Sequence, residues 1–202
     1  SGQAEDGTFS SQAGPGVTAL VLTAMLRSGV DLKDQSLSKG LKALEGFVKP
    51  DGGIYGNGRL KNYETCVSIL AFSEANKLAG DARYNKLLAN AKKFLTSMQF
   101  GEAQGESSDN LDFGGAGYAG KGRPDLSNTA YLVEALRAVE AGADDPAIAR
   151  ALVFVSRCQN LSSEFNQTEL SGKVNDGGFY YKIPTQKEIE SGDRGAPEGG
   201  LR

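Results

Sequence analysis

Apolar residues along this chain gather into six helical runs of two alternating kinds. One kind is apolar-rich and free of internal glycine or proline: TALVLTAML from Thr18, TCVSILAF from Thr65 and TAYLVEAL from Thr129. The first of these is hydrophobic nearly all round, the pattern of a helix that a fold encloses. The other kind spaces Leu, Phe and Val helically with Lys or Arg between them, and reads as amphipathic with one solvated face. These runs are LSKGLKALEGFV (Leu37 to Val48), LLANAKKFLTSMQ (Leu87 to Gln99) and IARALVFVSRCQ (Ile148 to Gln159). The pattern predicts helices over 16–28, 37–48, 63–79, 85–99, 127–141 and 146–159, those beginning at 16, 63 and 127 lying inside.

The punctuation between the runs repeats as well. A glycine turn closely followed by an aromatic occurs at Gly7-Thr8-Phe9, Gly52-Gly53-Ile54-Tyr55, Gly114-Gly115-Ala116-Gly117-Tyr118 and Gly177-Gly178-Phe179-Tyr180. After the first three, the threonine of the next apolar run arrives at a nearly constant distance. Aligned on Gly40, Ala91 and Ala151, the amphipathic runs bring Ala43, Phe94 and Phe154 into register. A repeated helical hairpin buries its apolar face only against neighbouring copies, so an all-α solenoid or toroid is expected. The first unit enters at its turn and the last ends after its turn. The expectation is therefore an open arc of about three hairpins over 1–182, a fragment of a longer protein or half a closed ring. A Pro/Gly/Glu-rich tail follows over 183–202.

Composition narrows the chemistry. The 202 residues contain no histidine, which removes imidazole acid–base catalysis, Ser–His and Cys–His nucleophiles, and histidine-ligated zinc. A net charge of −3 and a pI near 5.2 leave no electrostatic footprint for nucleic acid. No apolar run approaches the ~20 residues of a membrane span, and no signal peptide opens the sequence, although Ser1-Gly2 is also what removal of a leader leaves behind. Cys66 and Cys158 sit far apart in apolar helical patterns and read as small buried hydrophobes. Asp144-Asp145-Pro146 reads as an N-cap and first-turn signal. The glycine-rich stretch Gly114 to Gly122 follows no strand, so it is neither a dinucleotide fold nor a P-loop.

Arg150-Ala151-x-x-Phe154-Val155-x-x-x-Gln159, followed after an insertion by Gly177-x-Phe179, resembles the repeat motif of the squalene cyclase and protein prenyltransferase superfamily. Ala91, Phe94, Leu95 and Gln99 match it in part. Lys39-Gly40, Leu44 and Gly53-x-Tyr55 match in another unit, where Val48 stands in place of the glutamine. Phe or Tyr replaces the motif's tryptophan throughout. The resemblance implies a partial α/α toroid in which the glutamine hydrogen-bonds the turn and the next helix, and the aromatic packs beneath the turn.

Cyclases of this superfamily carry an Asp-x-Asp-Asp-Thr-Ala segment whose central acid protonates an alkene. The matching segment here is Asp125-Leu126-Ser127-Asn128-Thr129-Ala130, with Ser127 and Asn128 where carboxylates belong. Glu64, in Tyr63-Glu64-Thr65, is the one carboxylate near a matching position, and a helix-dipole partner is its expected role. The prenyltransferase zinc set fails for want of histidine, and no Gly-Cys-Gly-Glu-Gln thioester sequence occurs. No metal site and no cofactor are expected.

The leading expectation is a prenyltransferase/squalene-cyclase-like repeat protein without catalysis of its own. It is weighed against a binding module for an apolar, peptide or glycan ligand, and against a polysaccharide lyase using Tyr118, Arg123, Tyr131 and Tyr63. A pocket for an apolar or small polar ligand is expected at the turn side of the inner helices. The residues placed there are Tyr63, Glu64, Tyr118, Arg123, Asp125, Ser127, Asn128 and Tyr180. The partner expected beyond a ligand is the rest of a longer chain or a self-association partner.

Overall fold

Capping chemistry sets where the helices begin. A computed structural model describes residues 2–120, 122–168, 171, 175–185 and 187. Among these, α1 spans Pro15–Arg27, α2 Gln35–Glu45, α3 Lys61–Ala79, α4 Asn85–Met98, α5 Leu126–Ala138 and α6 Pro146–Arg157, with no β-strand. Each lies within three residues of its predicted ends. Pro15 and Pro146 occupy first-turn positions, where a missing N–H costs nothing. Asp34 caps α2 by accepting the Ser36 and Leu37 N–H groups, and Asp145 caps α6 by accepting that of Ala147. No described helix is long and apolar enough to cross a membrane.

The chain forms two compact units. The first takes residues up to Met98 together with Tyr131–Ala141; the second takes Gln99–Ala130 and the chain from Gly142 onward. Helix α5 is thus divided after residue 130.

In the first unit α1 packs on α2 and on α3, and α3 packs on α4. Gly16 near the start of α1 faces Tyr63 and Glu64 of α3, while Arg27 at its end pairs with Glu74 at 3.2 Å. Contacts in the same register at both ends make α1 and α3 parallel neighbours. Gly40 of α2 lies on Leu22 of α1, where a Cβ would stand 2.5 Å from Leu22 Cδ2. Leu37, Gly40, Leu41 and Leu44 are the buried stripe of α2; Leu88, Ala91, Phe94 and Leu95 are that of α4. In the second unit Ala147, Ile148, Ala151 and Phe154 form the same stripe on α6.

One local device recurs in both units. Gly7, Gly52 and Gly114 adopt φ of 88°, 89° and 88°. A Cβ at Gly7 would stand 2.6 Å from the Lys39 carbonyl oxygen, one at Gly52 2.8 Å from that of Asn90, and one at Gly114 would collide with that of Arg150. Glycine is required there twice over, by the left-handed backbone and by the approach of the next amphipathic helix. Each turn is then tied to the apolar helix that follows it. The N–H groups of Phe9, Ile54 and Ala116 donate to Thr18, Thr65 and Thr129 Oγ1, each at 3.0 Å. Gln99 Nε2 donates to the carbonyls of Gly114 and Ala147, and Gln159 Nε2 to that of Gly177. Tyr55 stacks on Phe94 with ring centroids 5.8 Å apart.

Four expectations change. Helix α2 stops at Glu45 rather than Val48, because Val48 leaves to form a bridge with Ile54 across the glycine turn. Helix α5 stops at Ala138, three residues short of the predicted end. Of the three helices expected inside, α3 alone is enclosed over most of its length, from Glu64 to Asn76; Val17 and Leu20 leave α1 with an exposed apolar stripe, and Ser127, Ala130, Glu134 and Arg137 are exposed on α5. The tail begins later than residue 183: Ile183 is buried against Phe154 and Cys158, so one apolar side chain holds the segment on the core. Residue 186 and the tail beyond residue 187 lie outside the described residues. Both cysteines are free and buried, and burial pushes the Cys158 thiol up to about 12.

Two substitutions test this packing. Phe154 is fully buried, so Phe154→Ala is expected to cost ~3–5 kcal/mol in chemical denaturation. Gly29 also has positive φ, but a Cβ there meets open space. Gly29→Ala is therefore expected to cost only about 1–2 kcal/mol of backbone strain, and Gly114→Ala clearly more, because the Arg150 backbone must move as well.

Candidate functional site

The turn Gly56-Asn57-Gly58-Arg59-Leu60 leads into α3 without a side-chain cap at Leu60. Glu64, one turn into the helix, supplies a substitute: its Oε2 accepts the Gly56 N–H at 2.9 Å. Gly14 and Gly56 make room for the carboxyl group, since a Cβ at Gly14 would collide with Oε1 and one at Gly56 would lie 3.8 Å from it. Glu64 is 3% exposed, and its Oε1 has no hydrogen-bond partner among the described residues. Burial raises its pKa above the ordinary glutamate value, an effect opposed by the Gly56 hydrogen bond and by the Lys49 charge.

A pocket of about 470 Å³ opens to solvent over this carboxyl group. Gln12, Asn57 and Arg59 line it with amide and guanidinium groups; Phe47 and Leu60 provide an apolar wall. The volume suits a small ligand. A larger hollow of about 670 Å³ includes Ser73, Asn76 and Asn85, but their polar groups already serve the fold. Ser73 Oγ donates to the Ala138 carbonyl, and Asn76 bonds both Asn85 and the Tyr84 N–H.

The predicted site residues divide between the two units. In the first, Tyr63 packs edge-to-face on Tyr131 with centroids 5.0 Å apart, and Glu64 lines the pocket. In the second, Asp125 is 1% exposed and works as a cap on α5: Oδ1 accepts the Asn128 N–H and Oδ2 the Asn128 Nδ2 group, each at 2.8 Å. Asn128 is buried with it, and Ser127 is exposed. Arg123 grips Asp112 through Nε and Nη2 at 3.1 and 3.0 Å and donates to the Ile183 carbonyl. It also borders a smaller hollow of about 250 Å³. Tyr180 is buried, and its N–H donates to the Cys158 carbonyl. Tyr118 is half exposed, and its hydroxyl meets that of Tyr181, a residue the sequence reading did not single out. Burial, the Tyr118 hydrogen bond and the Asp125 charge together raise the Tyr181 pKa. No group of three or more His, Cys, Asp or Glu side chains with metal-binding geometry occurs among the described residues.

Sequence reasoning also passed over Gln12, Gly14, Phe47, Gly56, Asn57, Arg59 and Leu60. The two glycines carry the only signal, and they read as turn punctuation. No protein-family model matches this chain, and no curated protein matches its sequence.

The raised Glu64 pKa has a pH consequence. Folding holds the proton more tightly than the unfolded chain does, so the stability Glu64 contributes is complete below its unfolded pKa of about 4.3 and is lost as pH rises through the folded value. Glu64→Gln cannot titrate. Its stability relative to the parent chain should therefore increase between about pH 4 and neutral pH. Urea denaturation of both proteins across that range measures the difference; a constant difference would show that Glu64 ionises normally.

Proposed function

We propose that the chain is a hairpin-repeat module of the squalene cyclase/prenyltransferase type that binds a small ligand at Glu64 and performs neither cyclisation nor prenyl transfer. The parallel packing of α1 on α3 and the repeated glycine–threonine device support reading the hairpins as an arc of an α/α toroid. The observation that carries the binding role is the Glu64 carboxyl group, which lines a solvent-open pocket with one oxygen on the Gly56 N–H and the other not engaged by a described residue. A ligand hydroxyl or amine in the pocket could donate to that second oxygen. The Phe47 and Leu60 wall favours an apolar body behind such a head group.

The chemistry of the carboxyl groups argues against catalysis. Protonating an alkene needs an unusually strong acid, whereas burial makes Glu64 a weaker one. Asp125 has both oxygens engaged by Asn128. A pocket open to solvent would also let water capture a carbocation. The lyase alternative loses support because Arg123 is committed to Asp112 and the Ile183 carbonyl.

Incubation with squalene and with prenyl diphosphates, followed by mass spectrometry, should yield no product. Farnesol, methyl glucoside and a blocked dipeptide represent three ligand classes for amide-shift titration by NMR. Farnesol should perturb the Gly56, Leu60 and Glu64 amides most, and Glu64→Ala should abolish the response. Turnover of any substrate, or the absence of a farnesol response at those amides, would overturn the proposal.

A further inference from the structure

Four turns in this chain share one construction. Asp6-Gly7, Asp51-Gly52, Asn57-Gly58 and Asp176-Gly177 each place a short carboxyl or amide side chain before a glycine of positive φ, at 88°, 89°, 84° and 73°. In each, Oδ1 accepts the N–H two residues on, from Thr8, Gly53, Arg59 and Gly178 at 2.9, 3.0, 3.0 and 2.9 Å. That bond turns the side chain back over its own backbone. The glycine N–H is what separates them. Gly7 donates to the Ala4 carbonyl, Gly52 to that of Lys49 and Gly177 to that of Asn160, at 3.0, 3.0 and 3.1 Å. The Gly58 N–H donates to none of the described residues. The Asn57 amide nitrogen likewise has no acceptor among them, and Asn57 is exposed.

We propose that Asn57 is a site of spontaneous deamidation in the folded protein. The Gly58 nitrogen gives up its proton to solvent and attacks Asn57 Cγ, forming a new N–C bond. The Cγ–Nδ2 bond then breaks, the amide nitrogen takes a proton from solvent and leaves as ammonia, and a five-membered succinimide remains. Water opens that ring at either carbonyl and leaves aspartate or isoaspartate. The sum is hydrolysis of one amide, and nothing is oxidised or reduced. The Arg59 N–H on Oδ1 lies where negative charge develops during the attack. Glycine admits the attack because no side chain stands in the way. At the three aspartates the nucleophile is held by a carbonyl, and a carboxylate is a poorer target than an amide. Asn57 lines the same pocket as Glu64, so the reaction sets a new carboxylate there. The chemistry at Asn57 does not depend on whether that pocket takes a ligand.

The full chain is incubated for several weeks in mildly alkaline buffer, natively and in guanidinium chloride, then digested for mass spectrometry and isoaspartate detection. The peptide carrying Asn57 should gain the mass of exchanging NH2 for OH and should contain isoaspartate. Comparing each site with itself in the two conditions removes differences in intrinsic reactivity. Asn57 should react at similar rates in both. Folding should slow isomerisation at Asp6, Asp51 and Asp176 at least ~10-fold, because their glycine N–H groups must first be released. Asn57→Gln, whose ring closure would need a six-membered imide, should lose the product at this position and most of the ammonia release. An Asn57 that folding protects as strongly as the three aspartates overturns the proposal. So does ammonia release that persists undiminished in Asn57→Gln.

Discussion

The close approach of a turn glycine to the backbone of the next amphipathic helix is the constraint on which this structure depends. At Gly7, Gly52 and Gly114 the helix backbone occupies the space where any other residue would carry its Cβ. The contact fixes the distance between turn and helix. What is packed beneath can vary. Gly53 and Gly115 lie under the rings of Phe94 and Phe154, with a Cβ at either position 2.8 Å from ring atoms. In the first unit's opening turn Thr8 takes the glycine's place, and Ala43 takes that of the phenylalanine. Bulk lost from the helix is regained in the turn, which leaves the spacing intact.

Threonine makes the second half of the joint. Its hydroxyl both accepts and donates, so one side chain satisfies a turn N–H and a nearby carbonyl. Thr65 returns a bond to Ile54, and Thr129 returns one to Asp125. Asp125, Asn128 and Thr129 thereby form a local network around the start of α5, which the Tyr181 hydroxyl joins at Asp125. A segment whose order resembles an acid motif is occupied with capping, and its carboxylate serves backbone, amide and tyrosine donors.

Much of this architecture was legible because it is periodic. Helix positions followed from apolar spacing. The expected bond from helix-end glutamine to glycine turn is present at Gln99 and Gln159. The second bond of Gln99 goes to Ala147 of α6 and not to the helix that follows. Three features escaped for physical reasons. Ile183 is one apolar residue in a polar, proline-containing context, and only three-dimensional packing shows it to be core. Val17 and Leu20 have the same sequence signature as enclosed residues, because composition reports hydrophobicity and not whether a neighbour is present. The Glu64 pocket owes its shape to the absence of side chains at Gly14 and Gly56, two positions distant in sequence that pattern reading cannot pair.

Glu64 and Asp125 show how two carboxyl groups at the starts of neighbouring apolar helices diverge. Asp125 receives two donors from Asn128 and is balanced where it lies. Glu64 receives one, from Gly56, and burial raises its pKa. The difference originates in the preceding turn. Before α5, Asp125 itself is the cap and folds back on its own first turn. Before α3, Leu60 offers no cap, so the carboxyl group must reach in from within the helix to a loop opened by glycine. An acid placed in that way is a weaker acid than an ordinary glutamate and adjoins a cavity with an apolar wall. Such a group suits holding a hydrogen-bond donor and not delivering a proton to a carbon–carbon double bond.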